Sequence, residues 1–215
     1  MKTSLLLFIA LGLITLSSAK AQQEYFEYGF KGGVNISSIN GDVPSSYESR
    51  TAMHIGAFGI YKILPALGIQ AELLYSEQGV SNEYTTLGTS LSQDIRYDEV
   101  LRTQYIQLPI MASYNLIENL WVEGGVQIGY LAKAEREIEE VTEDSLGSVD
   151  SSTETIDEND SYESFDLGLA GGFRYKLNRN FMIQARYTQS LNDINSEMLG
   201  NQFNGILSFS VGFIL

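Results

Sequence analysis

Eight stretches of this chain alternate apolar with small or polar residues at a period of two, and the connections between them alternate between long and short. The last stretch is the clearest. Phe203, Gly205, Leu207, Phe209, Val211, Phe213 and Leu215 form one face, and Asn204, Ile206, Ser208, Ser210, Gly212 and Ile214 form the other. A period of two is that of a β-strand with one apolar side. The same pattern predicts strands over Tyr25–Ile36, Thr51–Tyr61, Gly68–Gly79, Arg102–Asn115, Leu120–Lys133, Tyr162–Leu177 and Phe181–Thr188. Between them lie long connections at 37–50, 80–101, 134–161 and 190–203, and short ones at 62–67, 116–119 and 178–180.

Strands of about ten residues are long enough to cross a bilayer when tilted. Regular alternation of tight turns with long loops is the rhythm of an up-and-down membrane barrel with short periplasmic turns and both termini on that side. The expected fold is therefore all-β: an eight-stranded antiparallel up-and-down transmembrane β-barrel with a filled polar interior. Charge placement agrees. Glu72, Glu123, Arg174, Lys176 and Arg186 all fall opposite the apolar face. An Arg or Lys turned to lipid at mid-bilayer costs ~2–4 kcal/mol, so these charges fix the register. Tyr61, Tyr75, Tyr114, Tyr130, Tyr175 and Tyr187 lie on the apolar face, mostly near strand ends, as an interfacial girdle requires. A soluble barrel with the apolar face inward satisfies the alternation too, and it stays open as a periplasmic alternative.

Residues 1–21 read as a secretory signal peptide: Lys2, an apolar run from Leu5 to Leu16, and Ala19-Lys20-Ala21 before a cut after Ala21. The barrel domain is then 22–215. With no cysteine there is no disulfide framework or thiolate metal site. A formal charge of −14 disfavours nucleic acid as a partner.

Three motifs carry a family resemblance: Gly29-Phe30-Lys31-Gly32-Gly33-Val34-Asn35, Tyr105-Ile106-Gln107-Leu108-Pro109, and the aromatic C-terminal strand. With them the mature chain resembles the PorT-like outer membrane protein beta-barrel domain family of Gram-negative bacteria. That resemblance implies the cell outer membrane as location, membrane lipids as surroundings, and the outer-membrane insertion machinery as a partner. Many barrels end on phenylalanine; this one ends on Leu215, with Phe213 and Phe209 on the same face. Three Gly-Gly segments, Gly32-Gly33, Gly124-Gly125 and Gly171-Gly172, suggest a repeated hairpin whose glycines relieve crowding inside a narrow barrel.

Little in the sequence points to chemistry. Glu135–Glu163 carries twelve carboxylates and one opposing charge, Arg136. It reads as a solvated, mobile loop, with cation binding or contact with another envelope or surface protein as the functional alternatives. Its Asp157-Glu158-Asn159-Asp160 lacks the glycine and the closing glutamate of a calcium loop, since Tyr162 and Gly168 stand there. His54, the only histidine, is expected to face the lumen near the outer rim. A Ser–His catalyst needs a nucleophile, a base and an orienting carboxylate in reach of one another, and no serine sits in a diagnostic setting. Lys31, Glu72, Glu123, Arg174 and Arg186 are expected to form a salt-bridged plug, with Glu72 and Glu123 paired to Arg174, Arg186 or Lys31. No catalytic, cofactor or metal residue is assigned. The reading is a non-enzymatic outer-membrane barrel with a structural or interaction role. Its alternatives are a narrow transport pore or secretion accessory and, behind these, a lipid-modifying surface enzyme.

Overall fold

The computed structural model describes residues 25–42, 47–86, 95–143, 149–195 and 201–215. The expected signal peptide lies outside them. Among the described residues nine strands appear: β1 (Phe26–Gly41), β2 (Tyr47–Leu64), β3 (Leu67–Thr86), β4 (Ile95–Ile117), β5 (Leu120–Glu143), β6 (Val149–Asp157), β7 (Phe165–Lys176), β8 (Phe181–Ser190) and β9 (Gln202–Ile214). Eight of them close an antiparallel ring in the order β1-β2-β3-β4-β5-β7-β8-β9. The last strand meets the first at Phe30↔Phe213, Gly32↔Val211 and Val34↔Phe209. The ring thus has no edge at membrane height, which is what lets strands satisfy their backbone in lipid.

The apolar face points outward, as the charges require. Val34, Leu73, Ile110, Phe173, Phe209 and Val211 are all exposed, and Glu72, Glu123, Arg174 and Arg186 are all buried. Outward aromatics mark two levels. Tyr61, Tyr114, Tyr175 and Phe181 ring the short-turn end, while Tyr75, Tyr130, Phe165 and Tyr187 ring the other. Tyr130 and Phe165 pack edge to face at 5.4 Å, and Phe181 and Phe213 do so at 5.2 Å. Phe165 to Tyr175 covers ~33 Å along the strand at about 3.3 Å per residue. A tilt near 40° reduces this to ~25 Å, the height of an outer-membrane apolar band.

Each Gly-Gly segment splits its two residues between the faces. A Cβ on Gly33, Gly125 or Gly172 would lie 1.8, 2.1 or 2.2 Å from a carbonyl oxygen of the adjacent strand. Those inner glycines let neighbouring backbones approach. A Cβ on their outward partners Gly32, Gly124 and Gly171 would meet nothing nearer than 3.5 Å, so crowding explains only the second glycine of each segment.

Above the outer girdle the sequence expectation needs correction. Stretches 80–101 and 134–161, read as loops, are largely strand. Val80–Thr86 of β3 pairs with Ile95–Leu101 of β4, and β4 continues alongside β5 to Thr142. The supposedly mobile acidic loop contains a ninth strand, β6, paired with Glu135–Glu143 of β5. Pairing is tolerated because three of the β5 carboxylates face a hydroxyl: Glu137↔Thr155, Glu139↔Thr153 and Glu140↔Ser152. Like charges stand directly opposite only at the barrel end of the pair, Glu135↔Asp157, where Lys133 lies against Glu135. The strands β3 to β6 therefore project from the barrel as one sheet. Tyr162, expected at the start of a barrel strand, instead makes an isolated bridge to Asn195, and β7 begins at Phe165.

Candidate functional site: a layered lumen and a projecting acidic sheet

The lumen is filled in three layers. At the short-turn end Phe58, Ile60, Met182 and Ile214 form a buried apolar cluster. Ile60 and Met182 sit on the inward face near strand ends, so this end is closed by packed side chains.

The middle layer is ionic. Lys31 of β1, Glu72 of β3, Glu123 of β5, Arg174 of β7 and Arg186 of β8 project inward from alternate positions on five strands. Arg186 grips Glu72 with both terminal nitrogens, at 2.6 and 3.0 Å, and reaches Glu123 at 3.3 Å. Lys31 Nζ lies 2.6 Å from Glu72 and donates to Gln184 Oε1 at 2.6 Å. Gln184 in turn donates to Glu123 at 2.5 Å. Arg174 donates to Gln70 at 2.7 Å, contacts Glu123 at 3.3 Å without hydrogen-bond alignment, and stacks over Trp121 at 5.3 Å. The expected pairing of Glu72 and Glu123 with Lys31, Arg174 and Arg186 is what the structure holds. Lys176 is not part of it: it sits at the short-turn rim on Glu27, which Lys62 also contacts at 2.6 Å.

His54 lies within this layer rather than at the outer rim. It stands across from Gly33 and Ser76 in the ladder, beside Lys31 and Arg186. Its Nε2 is 2.7 Å from Ser210 Oγ, so the two share a hydrogen bond. The geometry resembles a base and a hydroxyl, but Nδ1 meets no partner among the described residues. A catalytic pair needs an orienting group there. The space beside it is ~10 Å³, room for about one water and none for a substrate. This pair is part of the lumen filling.

The third layer closes the hairpin end. Ile39, Val80, Leu101, Tyr105, Leu131, Ala134, Tyr162 and Ile194 form a second buried apolar cluster. Tyr162 and Ile194 come from segments that fold back over the mouth, where Glu163 N–H donates to the Ile194 carbonyl at 2.9 Å. Burial raises the Tyr162 hydroxyl pKa to about 12. A latch flanks this cap. Arg136 of β5 bonds Glu158 at 2.6 Å and also pairs with Glu99 of β4. Burial opposes its charge, but its hydrogen bonds to Glu158, Glu99 and Tyr47 outweigh that and raise its pKa. Pattern reading missed the cap because Tyr162 and Ile194 are isolated apolar residues inside polar stretches.

Outside the barrel the sheet of β3 to β6 carries excess carboxylate. Arg96 is taken by Glu83 and Asp98, Arg102 by Glu137, and Lys133 by Glu135. Glu139, Glu140, Asp150 and Glu154 have no ion-pair partner among the described residues.

The family comparison agrees with this architecture. The sequence model of the family described as "Outer membrane protein beta-barrel domain" matches residues 20–196. No curated protein matches. Among solved structures, Ail, the attachment invasion locus protein of Yersinia pestis, is similar at 12% identity, with 89% of this chain and 99% of that one covered and a TM-score of 0.45. Neisserial surface protein A is similar at 14% identity, covering 86% and 96% with a TM-score of 0.45. The Escherichia coli outer membrane protein W is similar at 13% identity, covering 89% and 98% with a TM-score of 0.38.

Proposed function

The chain belongs to the outer membrane protein beta-barrel domain family, and from that premise we propose that it is a non-enzymatic scaffold displaying an acidic contact surface to the cell exterior. Its place is the outer membrane, with the two aromatic girdles at the lipid interfaces. The observation that carries the reading is the contrast between the ends of the barrel: tight turns at one, a projecting four-stranded sheet at the other. Barrels of this kind place short turns in the periplasm and extensions outside. A lumen filled in three layers supports a scaffold over a pore, and the unoriented His54–Ser210 pair gives no support to surface catalysis.

Finer assignments belong to the same proposal. The motifs Gly29–Asn35 and Tyr105–Pro109 support reading the chain as a PorT-like member, and residues 1–21 are read as a signal peptide removed after Ala21. Mass spectrometry of the mature protein should find an N-terminus at Gln22; an intact Met1 contradicts the processing.

The exterior display has a direct test, because the chain has no cysteine. A single Thr153→Cys variant should react with a membrane-impermeant maleimide on intact cells. Reaction only after the outer membrane is breached reverses the orientation and sinks the proposal.

A further inference from the structure

The projecting sheet ends in a strand with one free side. In the order β3-β4-β5-β6, strand β6 is bonded to β5 and, among the described residues, to no strand on its far side. Residues Asp150–Asp157 are exposed throughout. Every second residue of such a strand turns its N–H and C=O outward, a template for another strand. Free edges are normally blunted by lysine, proline or a bulge. Strand β6 has no lysine and no proline, and it pairs with β5 without a register shift. Its Thr153, Thr155 and Ile156 suit extended backbone.

Charge selects the occupant. On one face of β6 stand Asp150 and Glu154, with Glu140 one strand inward; on the other stands Asp157, with Glu137 and Glu139 inward. A second copy of this edge would set carboxylate against carboxylate. A strand bearing lysine or arginine would instead meet unpaired carboxylates on one face and the Thr153 and Thr155 hydroxyls on the other. We propose that the free edge of β6 is a docking site for an extended, basic segment of another protein, added as a further strand of the projecting sheet. Main-chain bonds then supply affinity and the carboxylates supply choice of partner. This rests on the reading of the sheet as an exterior contact surface.

The test uses the full-length barrel in lipid nanodiscs and three synthetic peptides of equal length. One alternates lysine with threonine and valine, the second is the same sequence N-methylated at every other residue, and the third replaces lysine with glutamate. The lysine peptide should bind, and should protect β6 amides from hydrogen exchange. N-methylation on the edge-facing side should weaken it about tenfold or more, and the glutamate peptide should not bind. Glu154→Lys, on an intact barrel judged by heat-modifiable migration, should weaken the lysine peptide and not the fold. Equal binding of the N-methylated peptide would overturn the edge inference and leave only charge attraction. Absence of binding by the lysine peptide also overturns it. Neither outcome touches the exterior orientation, which the maleimide experiment reads separately.

Discussion

The lumen and the projecting sheet use the same side chains, Glu and Arg or Lys, to opposite ends. In the lumen three cations face two carboxylates within 3.3 Å, all buried, and Gln70 and Gln184 add further hydrogen bonds to the set. In the sheet the carboxylates outnumber their partners and stand in water. Buried charge is costly unless paired and hydrogen-bonded, so the lumen set has to be complementary and specifies how strands β1, β3, β5, β7 and β8 come together. Exposed charge costs little and contributes little to stability, which leaves the sheet free to carry an excess of one sign.

Substitutions that break this contrast should rank accordingly. The largest loss is expected from Arg186→Ala, which takes the bidentate partner from Glu72, leaving Lys31 as its one cation, and removes one of the two arginines at Glu123. Removing one partner of a buried pair costs ~3–5 kcal/mol, read as a lower urea midpoint for loss of heat-modifiable migration. Phe209→Arg comes next. It sets a guanidinium into lipid at ~2–4 kcal/mol and should reduce insertion, whereas Ser208→Thr keeps the hydroxyl that donates to Asn35 at 2.8 Å and should insert normally.

A third prediction sharpens the boundary between the regions, where Tyr162 closes the cap. Its folded pKa, about 12, lies above the ordinary tyrosine value. The neutral form is therefore favoured by folding: that stabilisation is complete below pH ~10 and is lost as pH rises toward 12. Ultraviolet titration of wild type minus Tyr162→Phe should show a tyrosinate midpoint near 12. A midpoint near 10 would mean that the cap is open to water. The smallest effect is expected from Glu139→Gln, within ~0.5 kcal/mol of wild type in the same urea assay.

The barrel was legible in the sequence because its rule is local. A period of two, repeated eight times with charges on one side, specifies both strand and register, and the closing contact of Phe30–Val34 with Phe209–Phe213 follows once the ring closes. The ionic layer was legible for the same reason: Lys31, Glu72, Glu123, Arg174 and Arg186 share a face, and a narrow lumen brings that face together. The inner apolar cluster could have been found, since Phe58 and Ile60 alternate against the lipid side of β2. Strand β6 was hidden by composition. Acidic, hydroxyl-rich sequence suggests a solvated loop, and only the β5 pairing shows that Glu137, Glu139 and Glu140 meet a threonine or serine. His54 was placed on the correct face but at the wrong height, because the ladder partner that fixes its level, Gly33, lies on another strand.

Complementary buried charge and two apolar layers close this barrel. Conductance of the purified, refolded protein in planar bilayers tests this most directly. The wild-type protein should leave the membrane silent, with no discrete steps at any voltage the bilayer withstands. Reproducible open-channel steps from the wild-type protein would contradict it and return the lumen residues to the role of a pathway.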